Sequence, residues 1–427
     1  MLSWQLLRET LRKKGGDDKM GGGYGNLIAG LDIGTTKICT IIAENSSEGI
    51  DIVGIGTHPS KGLKKGMIVD IGATIESIRK AIKEAERMAD HEIETVYTGI
   101  SGGHIKSFNS HGVIAIKNRE VKRSDIKRSI DAARAIAIPV DREIIHVLPQ
   151  EFIVDDQRGI RDPLGMSGMR LEAKVHVVTG AVTSAQNIIK CANRTGLDVK
   201  DIILQQLASS EAVLTADEKE LGVALVDMGG GTTDTAIFFN GSIGYTSIIP
   251  VGGNHFTSDI ALGLRTPIKE AERIKKEYGC AIAHSVDRDE MIEVMSTDGK
   301  ETRTISRRTL CEIIEPRAEE LLQLIHKEIL KSELAEFLGA GVVLTGGASM
   351  MPGIRELAEK IFKLPVRIGY PRGVRGLKDV VNNPMFATGV GLVLYGSNQK
   401  SHQNFNGKGN LFNALVQRMR GWFLEVF

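Results

Sequence analysis

Residues 221–239 combine residue types that bind phosphate. A short apolar run ends in Asp227 and a second β-rich run begins a few residues later, which predicts a β-hairpin. The turn contains Gly229, Gly230, Gly231, Thr232 and Thr233. Glycines leave room for successive N–H groups to turn inward around an anion, and threonines add hydroxyl donors. Asp227 can hold the hydrated metal ion that accompanies a polyphosphate, and Asp234 can hydrogen-bond the loop or a metal-bound water.

A second, weaker copy of this segment lies upstream at residues 27–43. An apolar run ends in Asp32, and a second apolar run follows a turn region that contains Gly34, Thr35, Thr36 and Lys37. One glycine-rich hairpin is compatible with an ordinary turn, whereas two matched hairpins are far more specific. The pair predicts a duplicated domain in which two phosphate-binding hairpins face one cleft.

Length and composition narrow the class of protein. A chain of 427 residues exceeds the usual limit for one core, so two or more compact units are expected. A net charge of +1 argues against a nucleic-acid binder that relies on electrostatics. The four cysteines show no metal-binding spacing, which predicts reduced, buried thiols in a cytosolic protein. No apolar run reaches the length of a membrane span.

The sequence between the two hairpins suggests that the first lobe is interrupted by an inserted segment. Apolar residues at helical spacing predict a helix over residues 68–88. From about residue 94 to residue 175 the pattern changes to strands around one helix, for which Ser124 is the expected N-cap. This region contains no phosphate motif, and a core strand is expected to resume at Val175. We therefore interpret residues 94–175 as an inserted α+β subdomain.

The paired hairpins resemble the phosphate 1 and phosphate 2 motifs of the actin-like ATPases. The resemblance implies a bilobed α/β fold, made of duplicated RNase H-like domains, with ATP and Mg²⁺ between the lobes. Asp32 and Asp227 would then hold Mg²⁺ through water. Gln205 matches the position that orients the attacking water, and because an amide is a poor base, slow hydrolysis at most is expected.

The same resemblance assigns residues to the adenosine end of the site. Gly346 and Gly347 follow a predicted strand and match the adenosine motif, where backbone lies against ribose and base. Glu272 and Lys275 match a Glu-x-x-Lys pair that reaches ribose and base, although a solvated helix face is the alternative. Helices at 205–214 and 387–394 resemble the pair that connects the lobes.

Further features resemble one branch, the FtsA family of bacterial cell-division actins. They are the insert, an amphipathic helix predicted over residues 411–427 at the end of the chain, and the segments 30–37 and 251–255. The resemblance implies that an inserted subdomain 1C replaces actin subdomain 1B, and that the protein forms protofilaments. It also implies recruitment of the tubulin-like protein FtsZ, through residues in subdomain 2B, and of later division proteins to the cytoplasmic side of the membrane. A pilus-assembly actin-like protein and, less favoured, a small-molecule kinase are the alternatives.

These interpretations divide the chain as follows. The expected units are a flexible extension (1–25), lobe 1 (26–93, 176–213 and 345–395), the insert (94–175), lobe 2 (214–261 and 336–344), subdomain 2B (262–335), a linker (396–410) and a terminal helix (411–427). A second surface anchor is the alternative for the N-terminal extension.

Residues 411–427 have the pattern of an amphipathic helix that binds anionic lipid. Its apolar residues recur at helical spacing and share one face: Leu411, Phe412, Leu415, Val416, Met419, Trp422, Phe423, Val426 and Phe427. Polar and charged residues, Arg418 and Arg420 among them, occupy the rest. Such a helix is too short and too charged to span a bilayer but can lie in its interface. Docking of this face on the protein's own core is the alternative.

Overall fold

The structure, a computed structural model, describes residues 27–296 and 301–405. The predicted extension (1–25), the end of the predicted linker (406–410) and the predicted terminal helix (411–427) lie outside the described residues. Among the described helices, none is both long and apolar enough to cross a membrane.

The first lobe is built on a six-stranded mixed sheet. In spatial order its strands are Asp198–Leu204, Thr95–Ile100, Leu27–Ile33, Lys37–Ser46, Gly49–Pro59 and Arg375–Gly376. The predicted hairpin of the first two sequence strands is confirmed, since Leu27–Ile33 pairs antiparallel with Lys37–Ser46. Leu27–Ile33 also pairs in parallel with Thr95–Ile100.

The second lobe repeats this plan in a five-stranded sheet. Its strands, in spatial order, are Ser242–Ile249, Thr233–Phe239, Val223–Met228, Val342–Thr345 and Val366–Ile368. Val223–Met228 pairs antiparallel with Thr233–Phe239 and in parallel with Val342–Thr345, as the equivalent strand of the first lobe does. The duplication expected from the two hairpins is therefore present in the sheets.

Helices cover both faces of the first sheet. Ile71–Ala89 and Val182–Asn193 bury their apolar faces against one side. Gln205–Val213 and Ala387–Phe405 pack between the lobes on the other. These two helices cross closely, because a side chain on Gly391 would overlap the carbonyl group of Ala208. Small residues at the crossing thus bring the lobes together.

The second lobe carries the remaining large elements. Gly253–Gly263, Ile268–Tyr278, the long helix Arg307–Lys331 and Ile354–Phe362 enclose one apolar core. The long helix begins nine residues before its internal Pro316, and Leu310 and Ile314 in this first part are buried in the same core. Short elements complete the part of the chain that the structure describes. They are the strand pairs Leu63–Lys64 with Met67–Ile68 and Met291–Met295 with Thr302–Ser306, the helices Ala216–Leu221 and Lys378–Val381, and the 3₁₀ turns Ala283–Ser285, Ala335–Phe337, Gly347–Met350 and Pro384–Phe386.

The insert is a separate four-stranded sheet with one helix packed on it. The strand order is Lys106–Ala115, Arg170–Ala181, Arg142–Val154 and Gln157–Ile160, and the helix is Arg123–Arg134. Ser124 is not the N-cap, since the helix begins one residue before it. Instead, the Asp125 carboxylate accepts a hydrogen bond of 3.1 Å from the backbone N–H of Lys122.

The limits of the insert differ from the sequence interpretation at both ends. Thr95–Ile100, assigned to the insert, pairs within the first lobe's sheet. Arg170–Ala181 belongs to the insert's sheet throughout, including the part expected to be a core strand of the lobe. Val175 and Val177 are buried in the insert's core while Val178 is buried in the lobe's. An apolar run buried on both faces looks the same in sequence wherever it lies.

The predicted linker (396–410) is also corrected over its first two thirds. The helix that starts at Ala387 continues to Phe405, so residues 396–405 are helical. Gly396 and Ser397 are buried, and a side chain on Gly396 would press against the ring of Tyr97. The polar sequence does not predict this part of the helix, because Gly396 packs against an aromatic ring without adding an apolar side chain to the pattern.

Candidate functional site

The turns of the two hairpins have matching geometry. In the first, the N–H of Gly34 donates to the carbonyl of Lys37 at 3.0 Å; in the second, the N–H of Gly229 donates to the carbonyl of Thr232 at 2.9 Å. Each turn follows directly on a buried strand that ends near an aspartate. The two turns therefore present equivalent backbone groups to the space between the lobes.

That space is a cavity of about 540 Å³, within the size range of small-molecule sites. It is lined by residues of both lobes. All but one of the residues predicted for the nucleotide site border it: Asp32, Gly34, Thr35, Thr36, Lys37, Gln205, Asp227, Gly229, Gly230, Gly231, Thr232, Asp234, Glu272, Lys275, Gly346 and Gly347. Residues spread over more than 300 positions of sequence thus meet at one place.

Thr233 is the exception among the predicted residues. It is fully buried, and its hydroxyl donates to the carbonyl of Val251 at 2.8 Å rather than facing the cavity. Thr233 begins a strand, and neighbouring side chains on a strand point to opposite sides. Thr232 borders the cavity, so its neighbour points away from it.

Asp32 lies at the first turn and is 7% exposed. Its carboxylate accepts a hydrogen bond of 3.3 Å from Nε2 of Gln205 and lies 3.8 Å from Nζ of Lys37. Burial raises the pKa of Asp32, and the charge of Lys37 opposes this rise. Lys37 also donates to the carbonyl of Met385 at 3.0 Å and lies over the ring of Phe386, so it joins the first hairpin to the start of the interlobe helix.

Asp227 occupies the equivalent position at the second turn. Its Oδ2 accepts a hydrogen bond of 3.0 Å from the hydroxyl of Thr388. Burial raises the pKa of Asp227 to about 6, and the nearby charge of Asp32 adds to the rise. Two buried carboxylates that border one cavity favour a bound cation.

Asp234 is held from two sides. Its Oδ1 accepts from the hydroxyl of Ser101 at 2.6 Å, and its Oδ2 accepts from the hydroxyl of Thr232 at 3.2 Å. The bond to Thr232 is the loop contact expected for this residue. Burial raises the pKa of Asp234 to about 7, against the lowering effect of the Ser101 bond.

The glycines of the second turn lie against the facing hairpin. A side chain on Gly230 would overlap the hydroxyl of Thr36, and a Cβ on Gly231 would lie 2.6 Å from the hydroxyl oxygen of Thr35. The next loop closes the same corner, since the N–H of Asn254 donates to the carbonyl of Gly230 at 2.8 Å. The turn needs glycine there for close approach of protein to protein.

The residues predicted at the adenosine end have two different roles in the structure. Gly346 has φ +83°, and a Cβ there would press on the Asp227 carboxylate, so this glycine permits close packing behind the second turn. A Cβ on Gly347 would touch only Cβ of Met385, at 3.9 Å. Gly347 is therefore the one of the pair that leaves space on the cavity side.

Glu272 and Lys275 form a fixed pair at the cavity wall. Nζ of Lys275 lies 2.6 Å from Glu272 Oε2, 2.8 Å from the Thr257 hydroxyl and 3.1 Å from the Gly253 carbonyl. Its three donors are thus used within the protein. Lys276, with its Nζ 3.0 Å from Glu272 Oε1, is largely exposed and also borders the cavity.

Some residues that support the hairpins belong to no phosphate motif. Thr388 and Asn254 border the cavity and contact the hairpins, whereas Ser101 holds Asp234 from outside the cavity. They reach the site only because helices and strands distant in sequence pack against it. Among the described residues there is no group of three or more side chains suited to a metal ion. Two carboxylates, Asp32 and Asp227, are enough protein ligands for Mg²⁺, because this cation retains several waters and takes further oxygens from phosphate.

Comparisons with known proteins agree with this architecture. The family model described as "Cell division protein FtsA" matches residues 224–391, and that of the "SHS2 domain inserted in FTSA" matches residues 102–179. The chain is 50% identical to the cell division protein FtsA of Pseudomonas aeruginosa over 93% of this chain and 97% of that protein. It is 40% identical to the Escherichia coli (strain K12) protein of the same name, over 94% and 98%.

Solved structures show the same fold at low identity. The type IV pilus biogenesis complex PilM-PilN matches with a TM-score of 0.64 at 16% identity, covering 87% of this chain and 98% of that one. MreB5 of Spiroplasma citri bound to ADP matches with a TM-score of 0.57 at 16% identity, covering 90% and 100%. The bilobed actin-like fold with an inserted subdomain is thereby confirmed.

Proposed function

The chain belongs to the FtsA family of cell-division proteins, and from this premise we propose that it binds ATP with Mg²⁺ and polymerises at the division site. In this proposal its filaments tether FtsZ to the cytoplasmic side of the cell membrane and help to recruit later division proteins. The observation that carries the nucleotide part is the pair of matched hairpin turns at one cavity. The solved MreB5 structures with ADP and AMPPNP support it by analogy of fold.

The two hairpins divide the work of binding a triphosphate. Backbone N–H groups of both turns and the hydroxyls of Thr35, Thr36 and Thr232 would donate to phosphate oxygens. Asp32 and Asp227 would hold Mg²⁺ through water, and the ion would neutralise charge on the phosphates. The space beside Gly347 would accept the adenosine.

Gln205 would position a water rather than activate it. Its Nε2 already donates to Asp32, which fixes the side chain and leaves Oε1 as an acceptor for a water hydrogen. Because an amide cannot take the proton as a base, hydrolysis would be slow. Slow turnover suits a protein in which the bound nucleotide acts mainly on assembly.

Membrane attachment would fall to residues 411–427, by the amphipathic pattern of their sequence. One such helix binds reversibly, whereas a filament presents many helices at high effective concentration. Attachment would therefore strengthen with assembly, and assembly with ATP. The likeness to PilM-PilN concerns fold only, and 40–50% identity over most of the chain favours the cell-division role.

Sedimentation with anionic vesicles tests the proposal. The full chain and a chain lacking residues 411–427 are spun with and without ATP and Mg²⁺, and with FtsZ added. We expect the full chain to carry FtsZ into the vesicle pellet, more so with ATP, and the truncated chain to leave both in solution. Equal pelleting of the two chains would overturn the tether. If ATP and Mg²⁺ leave the amount of pelleted protein unchanged and no nucleotide is found bound, the proposed nucleotide role is wrong.

A further inference from the structure

Ser101 marks the point where the chain leaves the first lobe for the insert. It directly follows the strand Thr95–Ile100, and it is 3% exposed. Its hydroxyl donates to Asp234, a residue of the second lobe, at 2.6 Å. Ser101 does not border the cavity itself. One short hydrogen bond thus joins the base of the insert to the opposite lobe.

The other oxygen of Asp234 reaches the cavity. It accepts from the hydroxyl of Thr232, which borders the cavity in the second turn. A hydroxyl has a single proton to donate. A phosphate oxygen at this turn and the Asp234 carboxylate therefore compete for the Thr232 proton, so phosphate binding changes how Asp234 is held.

The first hairpin meets the same point through Gly66. The N–H of Gly66 donates to the hydroxyl of Thr35 at 3.0 Å, and Gly66 borders the cavity. A Cβ on Gly66, which has φ +77°, would lie 3.1 Å from Cα of Gly102 and 3.2 Å from the carbonyl carbon of Ser101. The first hairpin is thus connected to the base of the insert through Gly66, and the second through Asp234.

The insert also holds the second lobe at its edge strand, Ser242–Ile249. Carbonyls of that strand accept from insert side chains: Thr246 from Ser107 at 3.0 Å, Gly244 from Asn109 at 3.3 Å and Ile243 from Gln150 at 3.0 Å. A subdomain that is covalently part of one lobe and hydrogen-bonded to the other must respond when the lobes move.

We propose that the Ser101–Asp234 hydrogen bond transmits nucleotide occupancy of the second hairpin to the position of the insert. The inference rests on the proposed binding of ATP. A phosphate in the cavity would accept the hydroxyl proton of Thr232, so Asp234 would lose that hydrogen bond and keep the one from Ser101. The start of the insert would then shift relative to the second lobe. The ligand acts by its different contacts in the two arrangements, as any such coupling requires.

Hydrogen exchange of the full chain tests the relay, with ATP and Mg²⁺, with ADP and Mg²⁺, and without nucleotide. In the parent protein, ATP should change amide exchange over residues 102–115 by about fivefold or more. Ser101→Ala should lose this response while keeping ATP affinity near that of the parent. Ser101→Thr, which restores the hydroxyl, should recover it.

Ser110→Ala is the matched control. Its hydroxyl is also hydrogen-bonded, but to Ala133 inside the insert, at 2.8 Å. This variant should keep the nucleotide response. A parent protein that binds ATP without a response over 102–115, or a Ser101→Ala variant that responds as the parent does, would overturn the relay. Lack of ATP binding by the parent would instead remove the proposed function, and the relay with it.

Discussion

Gly230 of the second hairpin lies directly against the Thr36 side chain of the first, so closely that any Cβ on Gly230 would overlap the threonine hydroxyl. The two matched hairpins are therefore in contact across the interlobe cleft. From sequence, the expected function of this glycine was to leave space for phosphate. In the structure it leaves space first for the opposite lobe.

We predict that Gly230→Val abolishes ATP binding, because the side chain forces the hairpins apart before it meets any ligand. The measurement is ATP affinity by calorimetry, with the fold checked by circular dichroism. Gly72→Ala is the control: Gly72 lies in the helix Ile71–Ala89, and an added Cβ there meets only Asp70 at 3.5 Å. It should keep affinity and gain about 0.5–1 kcal/mol of stability. Undiminished affinity in Gly230→Val would refute the site assignment.

Asp227→Asn should separate stability from ligand binding. Because burial raises the pKa of Asp227 from 3.8 to about 6, the free energy of unfolding falls as the pH rises between these two values, and above pH 6 the ionised carboxylate destabilises the folded protein in full. The amide removes this cost, so at pH 8 the variant without nucleotide should unfold at a higher temperature than the parent.

The same variant should lose the stabilisation that ATP with Mg²⁺ gives the parent, about 2.7 kcal/mol at a hundredfold excess over Kd. Thermal unfolding with and without ATP and Mg²⁺ measures both effects. Thr388→Val removes only the hydroxyl that donates to Asp227 and serves as the milder comparison. Equal ligand shifts in parent and Asp227→Asn would show that the carboxylate does not hold the ion.

Two buried histidines predict a loss of stability in acid. Burial lowers the pKa of His146 and of His176 to about 4, and Nε2 of His146 accepts the N–H of Leu204 at 3.0 Å. Between pH 6.5 and 4 the unfolded chain binds protons that the folded one does not, so stability falls as the pH falls.

Aspartates with raised pKa values change the free energy of unfolding with pH in the opposite direction. The test therefore compares the pH dependence of the parent with that of a variant that lacks one histidine. Relative to His146→Gln, the parent should lose up to about 3 kcal/mol of unfolding free energy between pH 7 and pH 4. Urea unfolding at several pH values measures this, and His111→Gln, at an exposed position, is the control. A difference that does not vary with pH would contradict the prediction.

Trp422→Glu should release the protein from anionic vesicles. It places a charge on the apolar face predicted for residues 411–427, where an aromatic side chain would otherwise contribute roughly 1.5–3 kcal/mol if fully buried. Gln417→Glu makes the same change of charge on the polar face and should cost far less. ATP affinity should be unaltered in both. Pelleting of Trp422→Glu equal to that of the parent would exclude this helix as the anchor.

The paired hairpins, and with them the duplicated, two-lobed plan, could be predicted from the amino-acid sequence. An acid at a strand end followed by glycines and threonines is a local pattern, set by backbone geometry and hydrogen-bonding capacity within about ten residues. Such patterns predicted sixteen residues that border the cavity, because those residues lie within short motifs.

The tertiary structure alone decided what those motifs touch. Thr233 points away from the cavity, and residues of the strand Arg170–Ala181 are buried in two different cores. The ammonium group of Lys275 donates all its hydrogen bonds to other groups of the protein. Ser101 and Thr388 contact the second hairpin from more than 130 positions away in sequence. Such contacts depend on which faces of distant elements pack together, and that is settled by the burial of the whole chain rather than by any segment of it.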